Sequence, residues 1–133
     1  MATTTATITL SSTDLLSDEL ALSTTATLTT AGTSTGLTGT AGLARKTTGG
    51  TSEYTLFAAA SYTDDKAHKV YLKNTSTTAA QYFIVEVAGT VVGRLYAGDF
   101  MIIPWAAASD ENDIFVKPSV ATSMVIEFMV FYE

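Results

Sequence analysis

The chain contains no cysteine and a single histidine, His68. Disulfide staples, thiolate metal sites and cysteine nucleophiles are therefore excluded, and one chain cannot build a multi-histidine metal cluster. Charge is scarce: only 15% of the 133 residues are charged, against about 25% in an average soluble domain. Basic residues are the scarcer sign, seven against thirteen acidic ones, and the net charge of -6 opposes a phosphate-binding surface. No nucleic-acid partner is expected. Long apolar runs are missing too. The longest, Phe100 to Ala108, is nine residues and is interrupted by Pro104, where a membrane-spanning helix needs about twenty. No membrane partner is expected. Met1-Ala2-Thr3-Thr4-Thr5 has neither the basic nor the apolar character of a secretory leader, so folding in a cytoplasm is expected. In that setting the glycosylation sequon Asn74-Thr75-Ser76 carries no meaning.

What is abundant is threonine and aliphatic surface. Threonine occurs 17 times in residues 1–50 and 8 times in 51–133. Its branched Cβ suits extended backbone and disfavours helix. Ala6, Ile8 and Leu10 alternate with Thr5, Thr7 and Thr9, and Leu20, Leu22, Thr24, Ala26 and Leu28 repeat the pattern, as half-buried strands do. Ser11-Ser12-Thr13-Asp14 supplies a turn between them or caps one helical turn through Leu16. Six of the nine glycines then fall between Ala31 and Thr51, which reads as a long loop.

Beyond the loop, strands alternate with turn signals: Lys69–Asn74, Tyr82–Val87, Thr90–Tyr96, Phe100–Ile103 closed by Pro104, Ile114–Lys117 closed by Pro118, and Ser123–Glu133. Ala88-Gly89 marks a tight hairpin turn. In the last run Met124, Ile126, Phe128, Val130 and Tyr132 face one way, and Val125, Glu127, Met129 and Phe131 the other. Apolar residues on both faces suit a central strand or one covered by a neighbouring subunit. Tyr54–Ser61 is the one candidate helix, supported by Ala58, Ala59 and Ala60. The expected fold is all-β, an antiparallel β-sandwich or jelly-roll-like barrel. Its expected parts are a Thr-rich N-terminal arm with the first strands (1–30), a Gly/Thr-rich loop (31–53) and a main β-sandwich core (54–133), one domain overall.

Signals for chemistry are sparse. His68 is the only possible base of a serine triad, with Asp64 and Asp65 nearby, but no Gly-x-Ser-x-Gly elbow accompanies it. Gly36, Gly39 and Gly42 are spaced by three, unlike a dinucleotide fingerprint, and Lys46-Thr47 lacks the preceding glycine of a P-loop. Asp110, Glu111, Asn112 and Asp113 offer oxygen ligands without the alternating spacing that aims them at one calcium ion. Neither catalytic, cofactor-binding nor metal residues are assigned. Trp105 with Tyr96 or Tyr82 is the arrangement a carbohydrate-binding module would use to stack a sugar ring, and Trp105 serves equally as an interface anchor.

The order of strands and turns carries a resemblance. Lys69-Val70-Tyr71-Leu72-Lys73-Asn74-Thr75-Ser76, then Tyr82–Val87, then Gly93-Arg94-Leu95-Tyr96-Ala97-Gly98-Asp99 running into Ile103-Pro104-Trp105, then Ile114-Phe115-Val116-Lys117-Pro118 and the aromatic last strand, resemble small virion structural proteins of tailed bacteriophages. The match covers residues 54–133 and extends loosely to Thr35-Gly36-Leu37 and Gly42-Leu43-Ala44-Arg45-Lys46. The resemblance implies a non-enzymatic capsid decoration or cement protein in the virion. Its implied partners are the major capsid protein and copies of itself, as a homotrimer. A tail, neck or head-fibre component is the alternative within the virion. Contact residues expected on this reading are Ile8, Leu10, Trp105, Phe128, Phe131 and Tyr132.

Overall fold

A computed structural model describes residues 3–15, 17–64, 66–108 and 111–133. The chain is all-β, and its strands pair antiparallel throughout. It divides into two compact units, residues 1–38 and 39–133, so the boundary falls inside the stretch expected as a loop.

The first unit is a β-ribbon. Strands β1 (Thr5–Ser12) and β2 (Leu20–Thr27) pair in unbroken register from Thr5↔Thr27 to Ser12↔Leu20. The Ser12 hydroxyl accepts from the Asp14 and Leu15 amides at 3.4 and 3.1 Å and so starts the connecting turn. Leu16, the far end of the expected capped turn, lies outside the described residues. After β2, the Leu37 amide bonds the Leu28 carbonyl at 2.7 Å, and both leucines are buried.

Among the described residues the second unit holds nine strands: β3 (Gly39–Thr40), β4 (Ala44–Thr48), β5 (Tyr54–Phe57), β6 (His68–Asn74), β7 (Tyr82–Val87), β8 (Thr90–Tyr96), β9 (Phe100–Trp105), β10 (Ile114–Pro118) and β11 (Met124–Tyr132). One sheet has the order β5-β10-β7-β8. The other has the order β3-β11-β6-β9, with β4 also on β11. A single core takes Val70, Leu72, Ile126 and Val130 from the second sheet and Phe83, Val85, Ile114 and Val116 from the first, which is the arrangement of a β-sandwich. The two-faced β11 is central: β6 lies on one flank, and β4 and β3 share the other.

Local expectations fail where pairing overrides propensity. Residues 39–48 were expected within a loop, yet β3 and β4 form because the nine-residue β11 presents a flank of backbone groups that must be satisfied. Gly39 permits the approach, since a Cβ there would collide with the Tyr132 ring and carbonyl. The expected helix at Tyr54–Ser61 is instead β5 followed by a 3₁₀ turn, Ala59–Ser61. Three alanines are too few to nucleate a helix in competition with β10, and the Asp113 carboxylate fixes the Ala59 amide at 2.7 Å. Pro104 was expected to end its strand but lies within β9, an edge strand where a missing N–H is tolerated. Ala88 and Gly89 both have positive φ, 52° and 71°, as a two-residue hairpin turn of this hand requires.

Asn74 locks one end of the sandwich. It is fully buried at the end of β6. Its Nδ2 donates to the Gln81 and Leu95 carbonyls at 3.2 and 3.0 Å, and its Oδ1 accepts from the Ser76 amide at 3.0 Å. Its backbone bonds Asp99 and Gly98, each at 3.0 Å. One side chain thus ties β6, in one sheet, to Gln81, immediately before β7, and to Leu95 of β8, in the other. The sequon is a structural turn with no room for a glycan. Asn74→Leu keeps the branched shape of the side chain, is somewhat larger, and leaves two carbonyls and an amide without the asparagine's bonds, each unmet group being worth about 1–3 kcal/mol. The expected loss is about 3 kcal/mol in urea unfolding; a loss below about 1 kcal/mol would reject the lock.

Candidate interaction surface

A strand edge exposes unpaired N–H and C=O groups, and folded proteins blunt the edges they do not use with short strands, charges, prolines or bulges. Each edge of the sandwich carries such a device. In β8, Val85 and Glu86 face Gly93 and Val91, leaving Val92 as a bulge. In β5, Ile114 and Phe115 face Phe57 and Thr55, leaving Leu56 as a bulge. β9 contains Pro104, β4 contains Arg45 and Lys46, and β3 is two residues long.

The ribbon of β1 and β2 carries none of these. Its sixteen strand residues include no charge, no proline and no glycine, and its register has no bulge. No residue of either strand is buried. Its faces differ. One is a hydroxyl ladder, Thr5↔Thr27, Thr7↔Thr25 and Thr9↔Ser23, with Thr7 and Thr25 hydroxyls 2.8 Å apart. The other is aliphatic, Ala6↔Ala26, Ile8↔Thr24, Leu10↔Leu22 and Ser12↔Leu20, with Ile8, Leu10 and Leu22 40–50% exposed. Asp14, Asp18 and Glu19 gather charge at the connecting turn. The ribbon is an uncharged stem with an aliphatic face, two open edges and an acidic tip.

A second surface is the outer face of the five-stranded sheet. Register places three rows there: Glu127–Lys73–Phe100, Met129–Tyr71–Ile102 and Phe131–Lys69–Pro104. Met129, Phe131 and Ile102 are half-buried and Phe100 is exposed. At its margin Arg45 Nε donates to Glu127 Oε2 at 2.9 Å, and Tyr71 donates to Oε1 at 3.3 Å. The Arg45 hydrogen bond holds the Glu127 carboxyl below its usual range although desolvation acts the other way. Burial, then the Glu127 charge, raises the Tyr71 hydroxyl. The signal for this cluster was a lone carboxylate in an apolar strand, which calls for a cationic partner. That partner lies 82 residues away in sequence, beyond the reach of local pattern.

Of the six expected contact residues, Ile8 and Leu10 are exposed on the ribbon and Phe131 lies on the outer face. Trp105 is a correction, while Phe128 and Tyr132 are partly buried and packed against the core. Trp105 is 4% exposed, with Nε1 donating to the Asn112 carbonyl at 2.7 Å. Phe128 packs edge-on to Phe57 at 5.5 Å, and Tyr132 packs against Tyr62 at 5.9 Å. Strand alternation puts Phe128 and Tyr132 on the core face, opposite Phe131. Nor do the aromatics form a sugar platform, since Trp105 is in the core while Tyr82 and Tyr96 pack on one another at 5.1 Å with Arg94 over Tyr82.

The remaining candidates have structural partners. His68 Nδ1 bonds the Lys66 carbonyl at 3.0 Å in place of a carboxylate; Asp65 lies outside the described residues. Asp110 does too, while Asn112 bonds Ala106 and Asp113 holds Ala59. Among the described residues no three His, Asp or Glu side chains cluster as metal ligands would. Compared with protein-family models and with curated proteins, the chain matches no family model and no curated sequence.

The Glu127 cluster makes a pH prediction. Its folded pKa lies below the unfolded value of about 4.3, so its stabilisation is complete above that value and is lost as pH falls through the folded one. Glu127→Gln is expected to lower the Tm most near about pH 7, with the gap to the native chain closing towards about pH 2. A gap independent of pH in thermal melts would contradict this assignment.

Proposed function

We propose that this chain is a non-enzymatic structural protein of a tailed-bacteriophage virion, a decoration or cement protein that seats on the major capsid protein, assembles as a homotrimer and stiffens the head. The observation that carries an assembly role is the ribbon: the protein blunts every edge of its sandwich and leaves uncharged, unbulged edges on two strands that bury nothing. A two-stranded ribbon is marginal in water on its own, and adding it to a neighbour's sheet satisfies both its backbone and its aliphatic face. A lattice of identical capsid subunits repeats one docking surface many times, which suits a small protein with one arm. The assignment to a phage virion rests on the resemblance carried by the strand-and-turn order of residues 54–133. A carbohydrate-binding module built on Trp105, Tyr82 and Tyr96 has less support, because those rings are engaged with the protein itself.

Quantitative mass spectrometry of purified particles tests the placement. Copies on the order of hundreds per particle are expected for a shell protein; about a dozen would move it to the tail or neck, and absence would end the virion reading. Writing the protein's own edge device into the ribbon, as Ile8→Lys with Leu22→Lys, tests the arm. Unfolding of the sandwich is expected to stay within about 0.5 kcal/mol, as for other surface changes. Occupancy of particles is expected to fall at least about tenfold. Unchanged occupancy would reject the arm as the docking element.

A further inference from the structure

The outer face of the five-stranded sheet and the aliphatic face of the ribbon are both apolar, and their charges have opposite sign. On the sheet, Met129, Phe131, Tyr71 and Ile102 are half-buried and Phe100 is exposed. Register sets Arg45 and Lys73 on either flank of Glu127, and Lys69 beside Phe131. Arg45, Lys69 and Lys73 thus share this face with one carboxylate, and Arg45 already engages that carboxylate at 2.7 Å. The face is cationic. On the ribbon the sign reverses: no lysine or arginine precedes Arg45 in the chain, while Asp14, Asp18 and Glu19 stand exposed around the connecting turn.

These signs select among the contacts that copies of the chain could make. A sheet face seated on a second sheet face brings cations together, and two ribbons side by side in one direction bring their acidic tips together. A ribbon on a sheet face matches apolar surface to apolar surface and acid to base. The dimensions agree as well. A ribbon of eight-residue strands is about 27 Å long and about 10 Å wide. The receiving sheet is four strands across, with the nine-residue β11 inside it, so the ribbon fits within its outline.

We propose that the outer face of the five-stranded sheet receives the ribbon of a second copy of this chain, with Ile8, Leu10 and Leu22 on Met129, Phe131 and Ile102 and the acidic tip drawn by the lysines of that face. The inference rests on the reading of the ribbon as an assembly arm and divides its work. The aliphatic face joins copies, and the open strand edges remain for the capsid. Because ribbon and sheet face are different surfaces, the contact is heterologous and passes from copy to copy until a ring closes, three copies being the ring of a homotrimer. The footprint is small, so each contact belongs to the weak class of interfaces.

The test is sedimentation equilibrium of the full chain from about 1 to about 500 μM. Association with Kd on the order of 10 μM is expected, weakening as salt is raised. Asp18→Lys with Glu19→Lys, and separately Lys69→Glu with Lys73→Glu, are each expected to weaken it at least about tenfold. All four substitutions in one chain restore the opposition of charge and are expected to recover association. Lys69→Gln with Lys73→Gln removes the cations without setting new carboxylates beside Glu127, and takes the place of the reversed lysines if thermal melts show those unfolded. A native chain that stays monomeric to about 500 μM would overturn the inference. So would association unchanged in the folded ribbon variant, or unrestored in the folded fourfold one. Particle counts keep the two readings apart: a monomer present at on the order of hundreds of copies per particle fails only here, and an associating chain absent from particles fails only the virion reading.

Discussion

An unpaired strand edge is sticky in proportion to its length, flatness and lack of charge, and this constraint organises the whole molecule. The sandwich meets it at every edge by a different local device: a bulge at Val92, another at Leu56, proline at position 104, Arg45 and Lys46 on β4, and a β3 of two residues. The variety matters, because no single sequence feature accounts for all five. Against that background the ribbon of β1 and β2 is an exception. Eight residue pairs run without a bulge or a charge, in the part of the chain richest in the β-branched residues that favour extended backbone.

The two units accordingly stand on different energetic footings. The sandwich has a core drawn from both sheets and a buried asparagine that joins them at one end. Removing any one of those contacts draws on a reserve of stability typical of a domain, about 5–15 kcal/mol. The ribbon has one ladder of backbone bonds, a row of threonine hydroxyls and an aliphatic face in water. Its backbone is already in the geometry a neighbouring sheet would accept, so docking requires less ordering than for a disordered tail. On the proposed docking role, its acidic tip, Asp14, Asp18 and Glu19, would favour a basic landing surface.

Much of the fold was legible in the sequence, because strand alternation and turn chemistry are local. Ala6, Ile8 and Leu10 against their threonines announced β1, and Ala88-Gly89 announced the hairpin between β7 and β8. Legibility failed wherever a distant partner decided the outcome. Ala44–Thr48 is a strand because β11 needed a neighbour, and Tyr54–Phe57 is one because β10 did. The candidate site was half legible. Ile8 and Leu10 stood out as aliphatic positions in an uncharged strand, but their exposure depends on the absence of a covering layer, which composition does not reveal. Trp105 misled because an aromatic after a proline is equally suited to a rim and to a core, and the Asn112 carbonyl that decides the matter is a matter of loop geometry. His68 read as a bland strand-end residue; its burial and its bond to the Lys66 carbonyl come from packing that local pattern does not show.

The most direct measurement is hydrogen exchange of the backbone amides, first in the dilute isolated chain and then on particles that carry it. The account predicts that amides of Thr5–Ser12 and Leu20–Thr27 exchange far faster than those of β6, β7 and β11 in the isolated chain, and become protected on the particle. Arm amides as protected as the sandwich in the dilute chain, or unprotected in both settings, would contradict an arm whose stability comes from its partner.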